Sequence, residues 1–399
     1  MAWTTLTLQV TTPLFNGGAE AVGGGPGYPD DQTGVRAPSI RGAMRFWFRA
    51  LVGGVTGPDL ARLAELERAV FGESARGAPS KRLRAASPVQ LRIPEQPLLS
   101  RERLPDFLDG DRGQWVIYLL GQGLTKYDKE KITKLTCPFV PAGATFELKL
   151  RLPPDDSQQA ALALASLWLT CAYGGLGARV RRGFGGLRIV RAEGPLPSPW
   201  DDGALLTPDV GYYVNRRSLL GPGPVERPLT VLREQMSEQP WPAGAHPTFP
   251  VLRPEAMDAG CSQDKFGDWI SLLAATGEKL RRFRATESPG GKRPKVTPEW
   301  TAVVTNPDGR AFPVGALGLP VVYRDDYVVN ADRDTGAGVD KHRRASPLWL
   351  RPVGDPRKRE WRLFSYGFLG EFLPTGLDVH VWRGERQGHE VTVTVDDVY

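Results

Sequence analysis

GGLGARVRRGFGG, residues 174–186, lies between two segments whose hydrophobic patterns have different periods. The preceding segment, residues 160–173, is apolar on all sides, which is typical of a buried helix. The following segment, residues 186–192, alternates like a strand. The sequence therefore predicts a helix, a glycine-rich loop and a strand in succession, and this unit decides the fold.

Glycines alternate with arginines in this segment, which we call the glycine loop. Because glycine has no Cβ, its backbone reaches positive φ, and successive N–H groups can form a concave anion site. Arginine adds a planar fork of donors that matches phosphate. We expect an anion-binding loop with an exposed ring at Phe184; the alternative is an ordinary helix C-cap followed by a solvated turn. The candidate contact residues are Gly174, Gly175, Gly177, Arg179, Arg181, Arg182, Gly183 and Phe184.

A second arginine-rich segment, RAPSIRGAMRFWFRALVGG, spans residues 36–54. It predicts an amphipathic helix capped by Ser39 and closed by Gly53 and Gly54. At about 100° per residue, its apolar side chains share one arc and three arginines share another. This arginine stripe is predicted to form the second wall of the anion groove; the alternative is a solvated basic face. The candidate contacts are Arg36 and the stripe residues Arg41, Arg45 and Arg49.

The order of elements over residues 1–195 is strand, helix, strand, strand, helix, strand. This is the ferredoxin-like order, in which a four-stranded sheet carries two helices. Residues 196–208 are rich in proline, aspartate and glycine and predict a linker. Residues 209–399 predict a second unit, so the fold class is α+β with two tandem ferredoxin-like domains, glycine-rich loops and long insertions. Strands are predicted over residues 4–12, 89–93, 115–120, 144–152, 186–192 and 210–214.

Basic residues also recur in the second half. A helix is predicted over residues 266–283, and it ends in KLRRFR; cations at a helix C-terminus are favoured by the helix dipole alone, which is the alternative to a binding role. KHRRASPLWL follows at residues 341–350. The candidate contacts here are Lys279, Arg281, Arg282, Arg343 and Arg344. Further candidate segments are the glycine-rich residues 16–34, the basic residues 80–84 and the basic run over 292–295.

Composition restricts the classes of function. The formal charge is +6, and arginine outnumbers lysine, which favours a polyanionic partner. The three cysteines lie far apart and in no metal-ligand spacing, so we expect reduced thiols, a cytoplasmic location, no metal and no cofactor. Neither a signal peptide nor a membrane span is predicted.

No catalytic motif rises above background in the sequence. The four histidines are not paired at metal-ligand spacing, and no phosphate-binding GxxxxGK[ST] motif occurs. His342, within KHRRASP, is the most suggestive general base, although it is also consistent with an ordinary loop histidine. A triad assembled from distant segments stays open, because its members need not be neighbours in the chain.

Four segments together resemble one known family. They are TPLFNGGA at residues 12–19, RAPSIRGAMRFWFRAL at 36–51, GGLGARVRRGFG at 174–185 and RRASPL at 343–348. Their set and order resemble a group of CRISPR RAMP proteins, the tandem-domain subunit of the Cmr, or type III-B, effector complex. The proline-rich residues 222–262 and the dense glycines at 23–25 depart from that pattern.

The resemblance implies two RRM-related domains in a non-catalytic RNA-binding subunit. It implies that this subunit caps the complex near the 3′ end of the guide RNA, beside another RAMP subunit, and helps to engage the target RNA in antiviral defence. Target cleavage in the family is assigned to the repeated backbone subunit. By position, Arg41, Arg45, the glycine loop and the Arg343–Arg344 pair match RNA-facing motifs of the family.

Two other functions stay open at the level of sequence. Other RAMP proteins process guide precursors, so a metal-independent endoribonuclease with His342 as its base is the alternative. The third possibility is a protein–protein adaptor that contacts RNA only incidentally.

Overall fold

The computed structural model describes residues 3–16, 34–73, 86–121, 123–127, 133–153, 158–220, 223–236, 241–242, 246–284, 312–322, 326–335 and 338–393. The helices are α1 (Ala37–Thr56), α2 (Leu60–Phe71), α3 (Gly110–Leu120), α4 (Gln158–Ala172), α5 (Asp202–Leu205), α6 (Val210–Val214), α7 (Glu226–Gln235) and α8 (Trp269–Arg284). The strands are β1 (Thr4–Val10), β2 (Gln90–Arg92), β3 (Thr125–Tyr127), β4 (Thr133–Leu135), β5 (Thr145–Arg151), β6 (Leu187–Glu193), β7 (Met257–Cys261), β8 (Val321–Val322), β9 (Tyr327–Asp334), β10 (Val339–His342), β11 (Leu348–Gly354), β12 (Trp361–Phe368), β13 (Asp378–Arg383) and β14 (Arg386–Glu390).

The fold is mixed α/β and is built from several antiparallel sheets. The first sheet has the strand order β2-β5-β1-β6. Its central strands β1 and β5 pair antiparallel, with Leu6 opposite Leu148. In β5, alternate side chains are buried, as its sequence pattern predicts. The predicted strand, helix and loop around residues 174–186 are confirmed, because α4 is buried along nearly its whole length and β6 follows the loop.

The second half of the chain carries two further sheets. One is β11-β12-β7, and the other has the order β10-β9-β13-β14, with β8 beside β9. The first of these packs into the same hydrophobic core as the β2-β5-β1-β6 sheet, since that core contains both Leu6 and Tyr366. A separate apolar cluster lies within the five-stranded sheet. The two halves of the chain therefore share one principal core.

Helix α1 begins and ends at different residues from those predicted. Its N-cap is Arg36, because Pro38 already lies in the first turn, so Ser39 is inside the helix. The helix continues through Gly53 and Gly54 to Thr56. A Cβ on Gly53 would lie 2.6 Å from Cε2 of Phe249, so this glycine allows close packing and does not end the helix.

Two predicted strands are helices. Residues 115–120 belong to α3, whose N-cap Asp109 accepts a hydrogen bond from the Gly110 N–H. Residues 210–214 form α6. A short apolar run cannot distinguish a strand from a buried helix segment by periodicity alone, which explains both errors.

The segment 196–208 is not an exposed spacer. It contains α5, and Trp200 and Leu205 are buried in the principal core. The indole N–H of Trp200 donates to the carbonyl of Ala161 in α4. Proline and aspartate here mark a turn and a helix cap in a packed segment. Among the helices of the described ranges, none is long and apolar enough to cross a membrane.

Candidate nucleic-acid interface

The glycine loop is packed tightly against the rest of the protein. Gly177 and Gly185 have φ values of 84° and 68°. A Cβ on Gly177 would lie 2.3 Å from the Phe15 carbonyl oxygen, and one on Gly185 would lie 1.9 Å from that of Leu176. The positive φ and the close approach both require glycine at these positions.

Most backbone N–H groups of the loop already donate to protein acceptors. The N–H of Ala178 donates to Phe15, that of Leu176 to Gly185 and that of Gly185 to Pro13. The expected open anion nest is therefore wrong for most of this loop. The glycines serve the approach of backbone to backbone, and any contact of the loop with an anion falls to its arginine side chains.

The expected exposed ring at Phe184 is also wrong. Its side chain is 1% exposed and packs edge-on against Phe15, with 5.8 Å between ring centroids. Residues 183–187 are all buried, so the ring of Phe184 lies inside the protein. An exposed ring in the described structure is Tyr127 of β3, which is 73% exposed.

Two of the loop arginines dock on the C-terminus of α3. Nε of Arg179 donates to the carbonyl of Leu120, and Arg182 donates to that of Leu119. Arg281 of α8 lies over the Tyr118 ring of the same turn, 5.4 Å from its centroid. Carbonyl groups at a helix C-terminus attract cations, so this end of α3 gathers Arg179, Arg182 and Arg281.

Arg181 points in the other direction, towards the second half of the chain. It donates to the carbonyl of Ser346 at 3.1 Å, and its guanidinium lies 5.1 Å from the centroid of the Trp349 ring. The carbonyl of Arg181 accepts a hydrogen bond from the N–H of Leu350 in β11. Burial, and then the like charge of Arg344, lower the pKa of Arg181. The loop and the RRASP segment therefore bring two guanidinium groups close together.

We call Arg181, Arg343 and Arg344 the junction cluster, because it joins the two halves. Arg343 is exposed, and Arg344 is half-buried. The backbone of Arg344 pairs with that of Leu319, and a Cβ on Gly318 would lie 3.0 Å from the Arg344 carbonyl. Gly318 thus supports the junction cluster from its other side.

A buried arginine beneath the junction cluster was missed by sequence analysis. Arg351 of β11 is 5% exposed and donates to the carbonyls of Cys171 and Leu187, at the two ends of the glycine loop. Burial lowers its pKa, while burial raises that of the Cys171 thiol to about 12. The sequence signal for it is the single arginine within the apolar run LWLRPV. An arginine in a buried strand needs partners, because arginine is rarely buried unless it is paired.

The arginine stripe faces α2. Arg45 and Arg49 form ion pairs with Glu67, at 3.2 and 3.0 Å. Arg45 also donates to the carbonyls of Phe71 and Gly72, which end α2. Arg41 donates to the carbonyl of Val89. The stripe is therefore committed to contacts within the first half of the chain.

The stripe and the glycine loop meet α1 on different sides. A Cβ on Gly174 would lie 2.4 Å from the indole nitrogen of Trp47, so the loop approaches α1 at that ring. Trp47 is about 160° around the helix from Arg45 and Arg49. These contacts do not support the expected groove with the stripe as its second wall.

The other predicted contacts are spread over the surface. Lys279 pairs with Asp264, and Arg282 with Glu278. Arg36 is half-buried at the start of α1, and Gly175 is buried inside the loop. The candidate segments 17–33, 80–84 and 292–295 lie outside the described residues.

Among the described residues, the histidines do not form a cluster with carboxylates at metal-ligand geometry. His342 is exposed at the end of β10. His380 contacts a buried carboxylate: its Nδ1 lies 2.8 Å from Oδ1 of Asp332, and Oδ2 of Asp332 accepts from the Trp382 indole N–H. Asp332 is 1% exposed, and this pair was missed because its members are distant in sequence. Within the described ranges, no group of three or more His, Cys, Asp or Glu side chains could hold a metal ion.

Comparison with known proteins assigns the family. The family model described as RAMP superfamily matches residues 7–188, from β1 into β6. CRISPR system Cmr subunit Cmr1-1 of Pyrococcus furiosus is 37% identical over 170 residues, which span 42% of this chain and 42% of that protein. Subunit Cmr1-2 of the same organism is 31% identical over 192 residues, spanning 46% of this chain and 92% of that protein.

The fold is similar as well. The crystal structure of Cmr1 from Pyrococcus furiosus, in its apo form, matches with a TM-score of 0.52 at 24% identity, over 94% of this chain and 90% of that chain. The family model and the match to Cmr1-2 place the chain in the class of RAMP proteins. It belongs to the RAMP superfamily and, within it, to the family of the Cmr1 subunits.

Proposed function

We propose that the chain is a non-catalytic RNA-binding subunit of a type III-B Cmr effector complex that acts in antiviral defence in the cytoplasm. Its partners are the guide RNA, the complementary target RNA and other RAMP subunits. The names of its relatives as Cmr subunits support this assignment. The chain matches less than half of the length of Cmr1-1, so the partners are part of the proposal.

The junction cluster carries the proposal. Arg181 is held against the Trp349 ring and the Ser346 carbonyl, so its guanidinium is oriented before any ligand arrives. Burial, and then the adjacent charge of Arg344, lower the pKa of Arg181, and a bound phosphate would relieve the repulsion between the two charges. Exposed Arg343 adds a third guanidinium. Oriented arginines of this kind suit the RNA backbone.

Two ferredoxin-like units are part of the proposal. The order β2-β5-β1-β6, with α1 after β1 and α4 after β5, supports the first unit. Strands β7, β12 and β11, with α8 after β7, support the second. We propose domains at residues 1–195 and 209–399 that share the principal core.

RNA binding is tested by removing two charges of the junction cluster. The slope of log K against log salt should be about −3.5 for five phosphate contacts, and it should become less negative by about 1.4 in the double variant Arg181→Gln, Arg343→Gln. Arg62→Gln with Arg68→Gln removes the same charge from α2 and should leave the slope unchanged. An equal slope in the wild type and the junction variant would refute the assignment of this cluster.

The position of the subunit in the complex is tested by crosslinking. We propose a cap near the 3′ end of the guide RNA. Guide RNAs with one photoreactive nucleotide, at either end, are assembled with all subunits and irradiated. Crosslinks to peptides around residues 343–348 from the 3′ end only are expected. Crosslinks from the 5′ end only would contradict the cap, and crosslinks to other subunits alone would favour the adaptor role.

The endoribonuclease alternative has one observation in its favour. Nδ1 of His380 lies 2.8 Å from Oδ1 of Asp332, and in the tautomer that donates Nδ1–H to this carboxylate, Nε2 is able to take a proton. This makes His380 a stronger candidate base than His342. Incubation of the protein with labelled repeat RNA tests it. We expect no cleavage; cleavage that is lost in His380→Ala would establish the alternative.

A further inference from the structure

A cleft of about 360 Å³ lies away from the glycine loop, at the far end of β11. One wall is the tip of the β11–β12 hairpin, residues 355–360, and the other is the start of α8. Phe266 and Trp361 tie the two walls together through a pair of backbone hydrogen bonds. The volume falls in the range of ordinary small-ligand sites, which is about 300–1,000 Å³.

The charge of this hairpin cleft is positive and largely uncompensated. Arg357, Lys358 and Arg359 line it, against one carboxylate, Asp268. Both carboxylate oxygens of Asp268 are engaged by Ser271, through its N–H and its hydroxyl. Lys358 pairs with Asp209. The guanidinium groups of Arg357 and Arg359 are exposed and have no hydrogen-bond or ion-pair partner among the described residues.

The other lining groups suit a flat, aromatic ligand. Trp269 is half-buried and meets Phe107 edge-on, with 5.4 Å between ring centroids. Gly267 is exposed, and a Cβ there would meet no atom within 4 Å, so nothing of the described structure fills the floor beside Trp269. The indole offers a surface on which a base can stack, and the two unpaired guanidinium groups beside it can bind phosphate.

The position of the cleft relates it to the junction cluster. Strand β11 begins two residues after Ser346, the partner of Arg181, and ends at Gly354, where the hairpin tip begins. Seven residues of strand span about 23 Å. One edge of the second half thus carries arginines at both ends of a single strand.

We propose that the hairpin cleft is a second RNA site, which holds a nucleotide of a single strand with its phosphates on Arg357 and Arg359 and its base against Trp269. The proposal rests on RNA binding by this chain. It gives the RNA a second point of contact, at the opposite end of β11 from the junction cluster. Unpaired cations beside an indole favour a nucleotide over an acidic peptide, which lacks the planar base.

Full-length protein with Arg357→Gln and Arg359→Gln tests the cleft against single-stranded RNA. The slope of log K against log salt should become less negative by about 1.4 relative to the wild type. The α2 pair Arg62→Gln and Arg68→Gln is the control. An unchanged slope in the cleft variant, with normal binding by the wild type, overturns the cleft alone. Absence of RNA binding by the wild type overturns the proposed function and the cleft with it.

A second measurement does not depend on affinity. RNA that contains 4-thiouridine is crosslinked to the wild-type protein, and the modified peptides are mapped. Crosslinks to residues 267–269 are expected, and they should fall at least fivefold in the cleft variant. Crosslinks confined to the glycine loop and residues 343–348 would overturn the proposal. If the wild type shows no RNA crosslinks at residues 267–269 and the cleft variant loses another Cmr subunit from the assembled complex, the cleft binds a protein partner instead.

Discussion

Two regions of this protein are both rich in arginine but differ in what holds the arginines. In the arginine stripe, Arg45 and Arg49 share the carboxylate of Glu67. In the junction, Arg181 and the buried Arg351 are held by carbonyl groups and aromatic rings. A carboxylate cancels the charge of an arginine, whereas a carbonyl orients the guanidinium and leaves its charge in place. Charge compensation, and not arginine density, therefore distinguishes a structural face from an anion site.

The largest expected effect concerns the glycines that hold the junction together. Gly185→Ala places a Cβ 1.9 Å from the Leu176 carbonyl oxygen at a φ of 68°. The left-handed backbone and the forced displacement together should cost about 3 to 5 kcal/mol. Urea unfolding measures the loss. A loss below about 1 kcal/mol would mean that the loop relaxes freely, and the contrast with the stripe would then not extend to packing.

The sequence predicts the frame of the junction well. Alternation in β5 and the uniformly apolar α4 each follow from a local period, so the loop between α4 and β6 is located correctly. The partners of its residues are not local. Glu67 lies 22 residues from Arg45, and the Ser346 carbonyl lies 165 residues from Arg181. No periodicity encodes such pairings, so the sequence could not show which arginines were already neutralised.

The errors within the candidate site have the same origin. A ring between glycines is expected to be exposed, yet Phe184 fills a gap between Phe15 and the second half of the chain. The DPRKRE tip at residues 355–360 is not predicted as a site from sequence, because short basic turns are usually solvated. Its meaning depends on Trp269, which is brought opposite the tip only by the tertiary fold.

The second prediction tests whether Cys171 and Arg351 form an ion pair beneath the junction cluster. The Cys171 thiol lies beside Arg351, and burial raises its pKa to about 12 from an ordinary value near 9. The neutral thiol therefore stabilises the folded state fully below pH 9, and this contribution is lost as the pH rises towards 12. Between pH 8 and pH 10.5, the free energy of unfolding should fall by about 2 kcal/mol more in the wild type than in Cys171→Ala.

Urea midpoints at the two pH values measure this difference. Cys261→Ala is the control, because that thiol is only half-buried. Equal pH dependence in the wild type and Cys171→Ala would mean that the thiolate is stabilised by Arg351. The junction would then be compensated by an anion, like the stripe.

The third prediction removes the charge compensation of the stripe. Glu67→Gln keeps the shape of the side chain and leaves Arg45 and Arg49 without a carboxylate. The expected loss of stability is about 1 to 2 kcal/mol, limited because Arg49 is partly solvated. Glu65→Gln, whose partner Arg62 is exposed, should change stability by less than about 0.5 kcal/mol. RNA affinity should stay within twofold of the wild type in both variants. A gain in affinity for Glu67→Gln would show that the stripe binds an anion once Glu67 no longer neutralises its arginines.

The smallest expected effect has the opposite sign. Gly42 is exposed inside α1 beside the stripe, and a Cβ there would meet no atom within 4 Å. Because alanine is a better helix former than glycine, Gly42→Ala should stabilise the protein by about 1 kcal/mol. Urea unfolding measures the gain, and filter binding measures RNA affinity. If the stripe is purely structural, RNA affinity is unchanged while stability rises. If RNA affinity falls while stability rises, the RNA backbone approaches α1 at Gly42. The stripe would then not be a purely structural face.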